Sequence, residues 1–318
     1  MRMLQLDLRL AKPMRTLLAL VLTAMLLAPS AALAESESVW SVARNQERAG
    51  TFGGLTLHLD GNDSTVSMEY ENLPKIIETY TATWCTNCVA SEGAMSEAVE
   101  DFDVVQILYH RHWYEIEDPF GSNSTEERWV SLYGESSENE VGLERAAPTS
   151  VIDGARMHTG STPTGESLIS DYDLSLSVGN LAWFMGGEIQ FSVNVIADVS
   201  TFSWSFDNLA FACADECPTQ KTTAWLMFVE DSANFEDGSN GLDDYRHVLH
   251  ESIMLEGSNS SLTTDVPVAW DGDDMTAILL IDWEIESSES GFELPGVGIA
   301  TFLSLLVAVP LARAIRED

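Results

Sequence analysis

One short segment constrains this chain's fold more than any other. Residues 76–84, Ile-Ile-Glu-Thr-Tyr-Thr-Ala-Thr-Trp, are β-branched and aromatic, the composition of a buried strand. They run directly into Cys85-Thr86-Asn87-Cys88, and residues 88–102 then carry Val89, Met95, Ala98, Val99 and Phe102 at helical spacing. A strand that delivers a thiol to the first turn of a helix places it where unpaired amide groups stabilise thiolate. A second thiol three residues on is close enough to attack a mixed disulfide and release product. On physical grounds this is a redox device. Zinc is the competing use of two cysteines, but it wants a second ligand pair. Cys213 and Cys217 are spaced by three residues without histidine pairs, so no metal is expected.

The rest of the chain falls into blocks. Residues 104–109 read as a second strand and 124–133 as a second helix. Val151-Ile152 heads into Asp153-Gly154, a hairpin turn. Alternating strands and helices predict an α/β domain over 75–165. The lead-in, 35–74, carries strands at 55–59 and 65–70. From 166 to 285 short runs at 174–178, 189–196, 202–206, 224–229, 252–255 and 277–285 are separated by Gly, Asn, Asp and Ser clusters. That spacing predicts an all-β sandwich domain without helices.

Both ends read as targeting segments. Arg2, Arg9, Lys12 and Arg15 precede an apolar run, and Ala32-Leu33-Ala34 is a small-x-small exit, so 1–34 reads as a secretory signal peptide. Residues 286–295 form an acidic-polar stalk. Residues 296–315 are an apolar segment ending beside Arg313 and Arg316, expected to be a transmembrane anchor with the body outside. Leu294-Pro295-Gly296-Val297-Gly298 also resembles the C-terminal sorting signals of archaeal surface proteins, which implies replacement of the tail by a lipid. The expected location is the cell surface or a periplasm-like space, tethered to the cytoplasmic membrane.

Charge excludes one class of partner. The chain has 15 basic against 51 acidic residues, a net charge of −36, and only three lysines. Such a surface repels nucleic acid and anionic lipid headgroups. A hydrophobic content of 45% with nine tryptophans argues against disorder despite that charge.

Residues 81–88, Thr-Ala-Thr-Trp-Cys-Thr-Asn-Cys, resemble the active-site segment of thioredoxin-fold proteins. Residues 147–154, Ala-Pro-Thr-Ser-Val-Ile-Asp-Gly, resemble their second signature, a cis-proline loop entering a strand. The similarity covers 75–160, about a quarter of the chain. Tyr109-His110-Arg111-His112-Trp113 and Asp118-Pro119-Phe120-Gly121 are similar to a branch of exported thioredoxin-like proteins that add a β-rich domain. A bacterial outer-membrane surface family belongs to that branch.

The resemblance implies that Cys85 is the nucleophile, that Cys88 resolves, and that Pro148 is cis and faces the disulfide. Thr149 then helps present a substrate backbone, and Trp84 shields the thiols. Two departures stand out. The family's buried acid falls at Thr79, which cannot ionise, and strand alternation sends Glu78 to the opposite face. Thr86-Asn87 replaces the commoner Gly-Pro.

His110 and His112 read as exposed loop residues, with a proton relay or transient metal ligand at the motif as the functional alternative. Cys213 and Cys217 are expected to form a small structural disulfide. Asp271, Asp273 and Asp274 match no calcium loop and read as a solvated acidic turn. The expected function is an anchored thiol–disulfide oxidoreductase with no diffusible cofactor. It acts on protein thiols and disulfides with a membrane electron donor or acceptor as partner. The alternative is a redox-inactive thioredoxin-fold surface module for binding or structure.

Overall fold

The computed structural model describes residues 38–44, 48–179, 184–197, 199–206, 210–211, 219–272 and 274–286. The expected signal peptide, the anchor, nearly all of the stalk, and Cys213 and Cys217 lie outside the described residues. Among the described residues no helix is long and apolar enough to cross a membrane.

The strands in chain order are β1 (Ser41–Val42), β2 (Ala49–His58), β3 (Ser64–Glu69), β4 (Lys75–Thr81), β5 (Val104–His110), β6 (Thr149–Ile152) and β7 (Arg156–Thr159). They continue as β8 (Phe184–Met185), β9 (Glu188–Ile196), β10 (Val199–Ser205), β11 (Ala210–Phe211), β12 (Gln220–Asn234), β13 (Asp244–Leu255), β14 (Asn259–Thr264) and β15 (Met275–Ile285). Helix α1 is Thr86–Ala98 and α2 is Asn123–Trp129. A π-helical turn, Val130–Gly134, joins α2 to α3 (Glu135–Val141), and α4 is Leu168–Ser177.

Nine strands form one mixed sheet in the order β1-β7-β6-β4-β5-β13-β12-β15-β2. The β4–β5 pair is parallel, β6 runs antiparallel to β4, and β13 joins β5 in parallel with Val248 opposite Leu108. The expected division between residues 165 and 166 is therefore not a division of the sheet. Strands from the expected β-domain, and β2 from the lead-in, share a sheet with the cysteine-bearing strand. A second sheet, β14-β10-β9-β3, is antiparallel throughout.

Period-two alternation decides what each face meets. On one face Ile76 and Tyr80 of β4, Ile107 and Tyr109 of β5, Met227 and Val229 of β12, and Ile278 and Leu280 of β15 form one cluster under Trp129 and Tyr133. The opposite face is shared by two partners. Ile77 of β4 and Ile152 of β6 pack with Met95 of α1 and Tyr172 and Leu176 of α4. Leu226 and Phe228 of β12 and Leu279 and Ile281 of β15 pack with Ile189, Phe191 and Phe202 of the second sheet. The sandwich expected from the spacing of short strands exists, but half of it is borrowed from the nine-stranded sheet.

Residues 174–178 were expected to be a strand and belong to α4 and its cap. Leu174-Ser175-Leu176-Ser177-Val178 does alternate, which is the strand signal. The helix prevails because Ser167 and Ser170 close a reciprocal capping box at its start. Tyr172 and Leu176, one turn apart, then bury completely against α1.

His158 of β7 is pinned under this helix. Its Nε2 lies 2.7 Å from Ser175 Oγ and its ring meets Tyr172 edge-on at 5.0 Å. Burial lowers its pKa to about 4, with Asp171 opposing and Arg156 adding to the shift. The folded pKa lies below the unfolded value of about 6.5, so this stability is complete above that pH and is lost as pH falls toward 4. His158→Gln is expected to remove about 2–3 kcal/mol of the stability difference between pH 7 and pH 4.5. Urea unfolding of both proteins at the two pH values reads it.

Candidate functional site

Cys85 is the N-cap of α1, and its Sγ accepts the Cys88 backbone N–H at 3.2 Å. Cys85 and Cys88 are joined as a disulfide with an S–S distance of 2.07 Å. Their burial is unequal: Cys85 is 6% exposed and Cys88 0%. A partner can therefore reach Cys85 and not Cys88. Ala82 lies beneath the pair, and Trp84 and Ala147 pack beside it. The Ala147–Pro148 peptide is cis, and Ala147 packs against the cysteine pair. Thr149 is fully buried, paired with Tyr80 on one side and Thr159 on the other, and its hydroxyl has no hydrogen-bond partner among the described residues.

The segment that carries the cysteines is clamped from two directions. Asp118 Oδ2 accepts the Thr83 N–H at 2.8 Å. The Thr83 carbonyl accepts the N–H groups of Ser239 and Asn240, each at 3.1 Å, and the Tyr245 hydroxyl at 3.2 Å. Ser239 and Asn240 sit in the loop between β12 and β13, so the β-rich half of the chain buttresses the cysteine loop. Gly238 permits that approach, since a Cβ there would lie 2.1 Å from the Tyr245 hydroxyl.

His110 is not an exposed loop residue. It ends β5, is 1% exposed, and packs edge-on against Phe120 at 4.9 Å and Tyr245 at 5.7 Å. Its Nδ1 lies 2.9 Å from Asp118 Oδ2, while its Nε2 has no partner among the described residues. The sequence hid this because Tyr245 comes from a distant strand, and Asp118 and Phe120 reach the ring only through the return of the intervening loop. Gly121 completes the turn: its φ is +79°, and a Cβ there would meet the His110 carbonyl at 2.6 Å. His112 is half-buried, with its N–H donated to Glu126 at 2.7 Å.

Thr79 and Glu78 take the sides expected of them. Thr79 lies 3.0 Å from Ser150 Oγ, and Glu78 pairs with Arg128 at 3.0 Å on the opposite face. An acid reaches the cysteine side from elsewhere. Glu92 of α1 lies one turn beyond Cys88, and its Oε1 accepts the Thr81 hydroxyl at 2.5 Å. Burial pushes its carboxyl up, against smaller opposing effects of Thr81 and His110. Sequence reasoning missed Glu92, and its only signal was the i, i+4 spacing from Cys88.

Beside Trp84, residues 111–117 form a partly exposed lip. The Trp84 indole N–H donates to Glu115 Oε2 at 2.9 Å, and Arg111 lies over the Trp84 ring at 5.7 Å. Burial pushes Glu115 up, but the N–H groups of Glu117 and Ile116, the indole and Arg111 outweigh it and hold the carboxyl below its ordinary range. Tyr114 and Ile116 are 96% and 94% exposed, and Tyr114 has a φ of +61°.

Glu230, Asp271 and Asp274 approach within 4.8 Å of one another, with Glu230 also 2.7 Å from His250. Glu230 accepts the N–H groups of Trp270 and Asp271, which fixes the turn. Thus Asp271 and Asp274 do belong to a turn, but a half-enclosed one.

No family model matches this chain, and no curated protein matches it. Among solved structures, a structural-genomics protein of Agrobacterium tumefaciens is similar at 13% identity and a TM-score of 0.38. That match covers 60% of this chain and 78% of the other. HBP35 of Porphyromonas gingivalis is similar at 14% identity and a TM-score of 0.36, over 66% of this chain and 63% of that one. This chain thus spans less than two thirds of HBP35. Likenesses this distant assign neither a fold family nor an activity.

Proposed function

We propose that this protein is an exported, membrane-tethered thiol–disulfide oxidoreductase built on a thioredoxin-like scaffold, acting on disulfides of other polypeptides. The observation that carries the reading is the Cys85–Cys88 pair at a helix start, with Ala147 of the second signature packed against it. The helix start favours thiolate at Cys85. In the reducing direction Cys85 thiolate attacks a substrate disulfide, forming a mixed disulfide and expelling one substrate thiolate. Cys88 then loses its proton and attacks Cys85 Sγ, which restores the Cys85–Cys88 disulfide and frees the second substrate thiolate. Two electrons pass from the dithiol to the substrate, and the reverse sequence oxidises it. A membrane thiol–disulfide partner resets the pair.

Ala147 and Pro148 border the path of substrate backbone beside Cys85, and Trp84 covers the disulfide; Thr149, buried and paired on both sides, takes no part in presenting it. The lip carrying Tyr114 and Ile116 supplies apolar contact for an unfolded chain. The competing reading, a redox-inactive binding module, is favoured by the low exposure of Cys85 and the absence of an acid at Thr79.

Trapping decides between them. In a Cys213→Ser/Cys217→Ser background, the reduced Cys88→Ser variant is offered an oxidised, unfolded polypeptide. The expected result is a covalent adduct on Cys85 that reductant releases and that Cys85→Ser never forms. Absence of the adduct transfers support to the binding module.

A further inference from the structure

We propose that Glu92 accepts the Cys88 proton during disulfide exchange, occupying from helix α1 the role for which β4 offers only Thr79. The inference rests on the redox reading above and deepens it. Cys88 and Glu92 are separated by four residues on α1, so their side chains stack on one face about 6 Å apart. Cys88 is fully buried, so its proton has no direct route to water. A thiol in that position needs an acceptor inside the protein.

Glu92 has the surroundings of one. Thr81 of β4 donates to it and fixes the carboxylate, at 2.5 Å. Thr81 and His110 are register partners on parallel strands, so their side chains share the sheet face that α1 covers. His110 acts electrostatically on Glu92, and its Nε2 is buried without a partner among the described residues while Asp118 holds Nδ1. That arrangement fixes the ring beside Glu92.

The other groups that face the cluster come from α4 and β13. Tyr172 and Tyr245 both feel the Glu92 charge, and Arg246 and His247 line a cavity of about 200 Å³ with Glu92, Thr79 and Gln106. Met95 and Leu108 complete walls that are about half polar and half apolar, and the cavity has space for water. Glu92 therefore stands between the buried thiol and a chamber that can hold water. Burial pushes its carboxyl up, and Thr81 and His110 oppose that in part; the upward direction is the one that favours accepting a proton.

The proton balance follows. As Cys88 attacks Cys85 Sγ its proton passes to the Glu92 carboxylate, and the Sγ–substrate bond breaks to release substrate thiolate. The Glu92 proton then leaves to that thiolate or to solvent. In the oxidising direction Glu92 returns the proton to Cys88 as the intramolecular disulfide opens.

Two measurements on the purified full-length protein test this. The first needs no substrate. In reduced Cys85→Ser/Cys213→Ser/Cys217→Ser protein, the Cβ chemical shift of isotope-labelled cysteine from about pH 6 to 11 reads the titration of Cys88 alone without a reagent having to reach it. Adding Glu92→Gln is expected to lower that midpoint by about one unit, since a nearby carboxylate disfavours thiolate. An unchanged midpoint overturns the proposal even if the protein proves inactive in exchange. The second follows a preformed mixed disulfide on Cys85. Glu92→Gln is expected to slow its resolution about a hundredfold near neutral pH, with recovery in alkali and partial rescue by Glu92→Asp. Formation of the mixed disulfide stays unchanged. Equal resolution rates in both proteins also overturn the proposal, whereas failure of Cys85 to form any adduct condemns the redox reading alone.

Discussion

Replacing Arg128 by methionine is expected to cost about 3–5 kcal/mol of unfolding free energy, the range for breaking a buried ion pair from one side. Arg128 leaves α2 and enters the sheet with none of its side chain exposed. It lies 3.0 Å from Glu78 on β4 and 3.1 Å from Asp282 on β15, and it stacks 4.7 Å over Trp225 on β12. Glu78 also accepts the hydroxyls of Tyr109 and Tyr133, and Asp282 accepts Thr51 at 2.8 Å and Arg44 at 3.3 Å.

One guanidinium thus joins the cysteine-bearing half of the sheet to its β-rich half. Burial pushes Asp282 up, but Arg128 and Arg44 outweigh it and hold the carboxyl below its ordinary range. With methionine in place, Glu78 loses its only cationic partner among the described residues and Asp282 loses one of two. Both carboxylates stay buried. Guanidinium chloride unfolding of both proteins reads the loss, with a single cooperative transition expected. A loss under about 1 kcal/mol, or two separate transitions, contradicts a shared sheet held by this residue.

The second large effect concerns chemistry. Cys85→Ser is expected to reduce disulfide exchange with an unfolded polypeptide by more than about a thousandfold, because no other group can form the mixed disulfide. Cys88 cannot substitute, since it is fully buried and lies on the inner side of the helix start. Stability under reducing conditions should change little: serine is also a good N-cap, and its hydroxyl can accept the Cys88 N–H that the Cys85 sulfur now accepts. The comparison is made in the Cys213→Ser/Cys217→Ser background, so that those thiols contribute nothing. Retention of a tenth of the activity places the chemistry at another residue.

Local structure around the cysteines was legible because its signals are local. The β-branched run, the cysteine spacing and the helical periodicity lie within about thirty residues, and the structure returns them as β4 and α1. The cis proline was legible through a second signature in the right order. What failed was long-range pairing. Nothing in residues 244–255 announces that β13 will lie beside β5, because alternation tells which face a residue takes and not which strand is its neighbour. The 165/166 boundary came from a shift in local texture, and texture does not report sheet continuity.

Helix α4 was missed for a different reason. Its serines and aspartates dilute the helical period, and its last residues happen to alternate. The burial of His110 was invisible for a third. It is enclosed by Phe120 and Tyr245, brought together only by folding. Glu92 carried one weak signal, its spacing from Cys88. The significance of that spacing depends on Thr81 and on the empty acid position at Thr79, which only the assembled sheet brings together.

The most direct test of the redox account is the equilibrium potential of the Cys85–Cys88 pair. It is read by thiol alkylation and mass across graded redox buffers in the Cys213→Ser/Cys217→Ser protein. The account predicts a titrating pair between about −270 mV, the poise of a reductant, and about −120 mV, the poise of an oxidant. A pair that stays oxidised well below about −300 mV behaves as an inert structural disulfide, and that result contradicts the account.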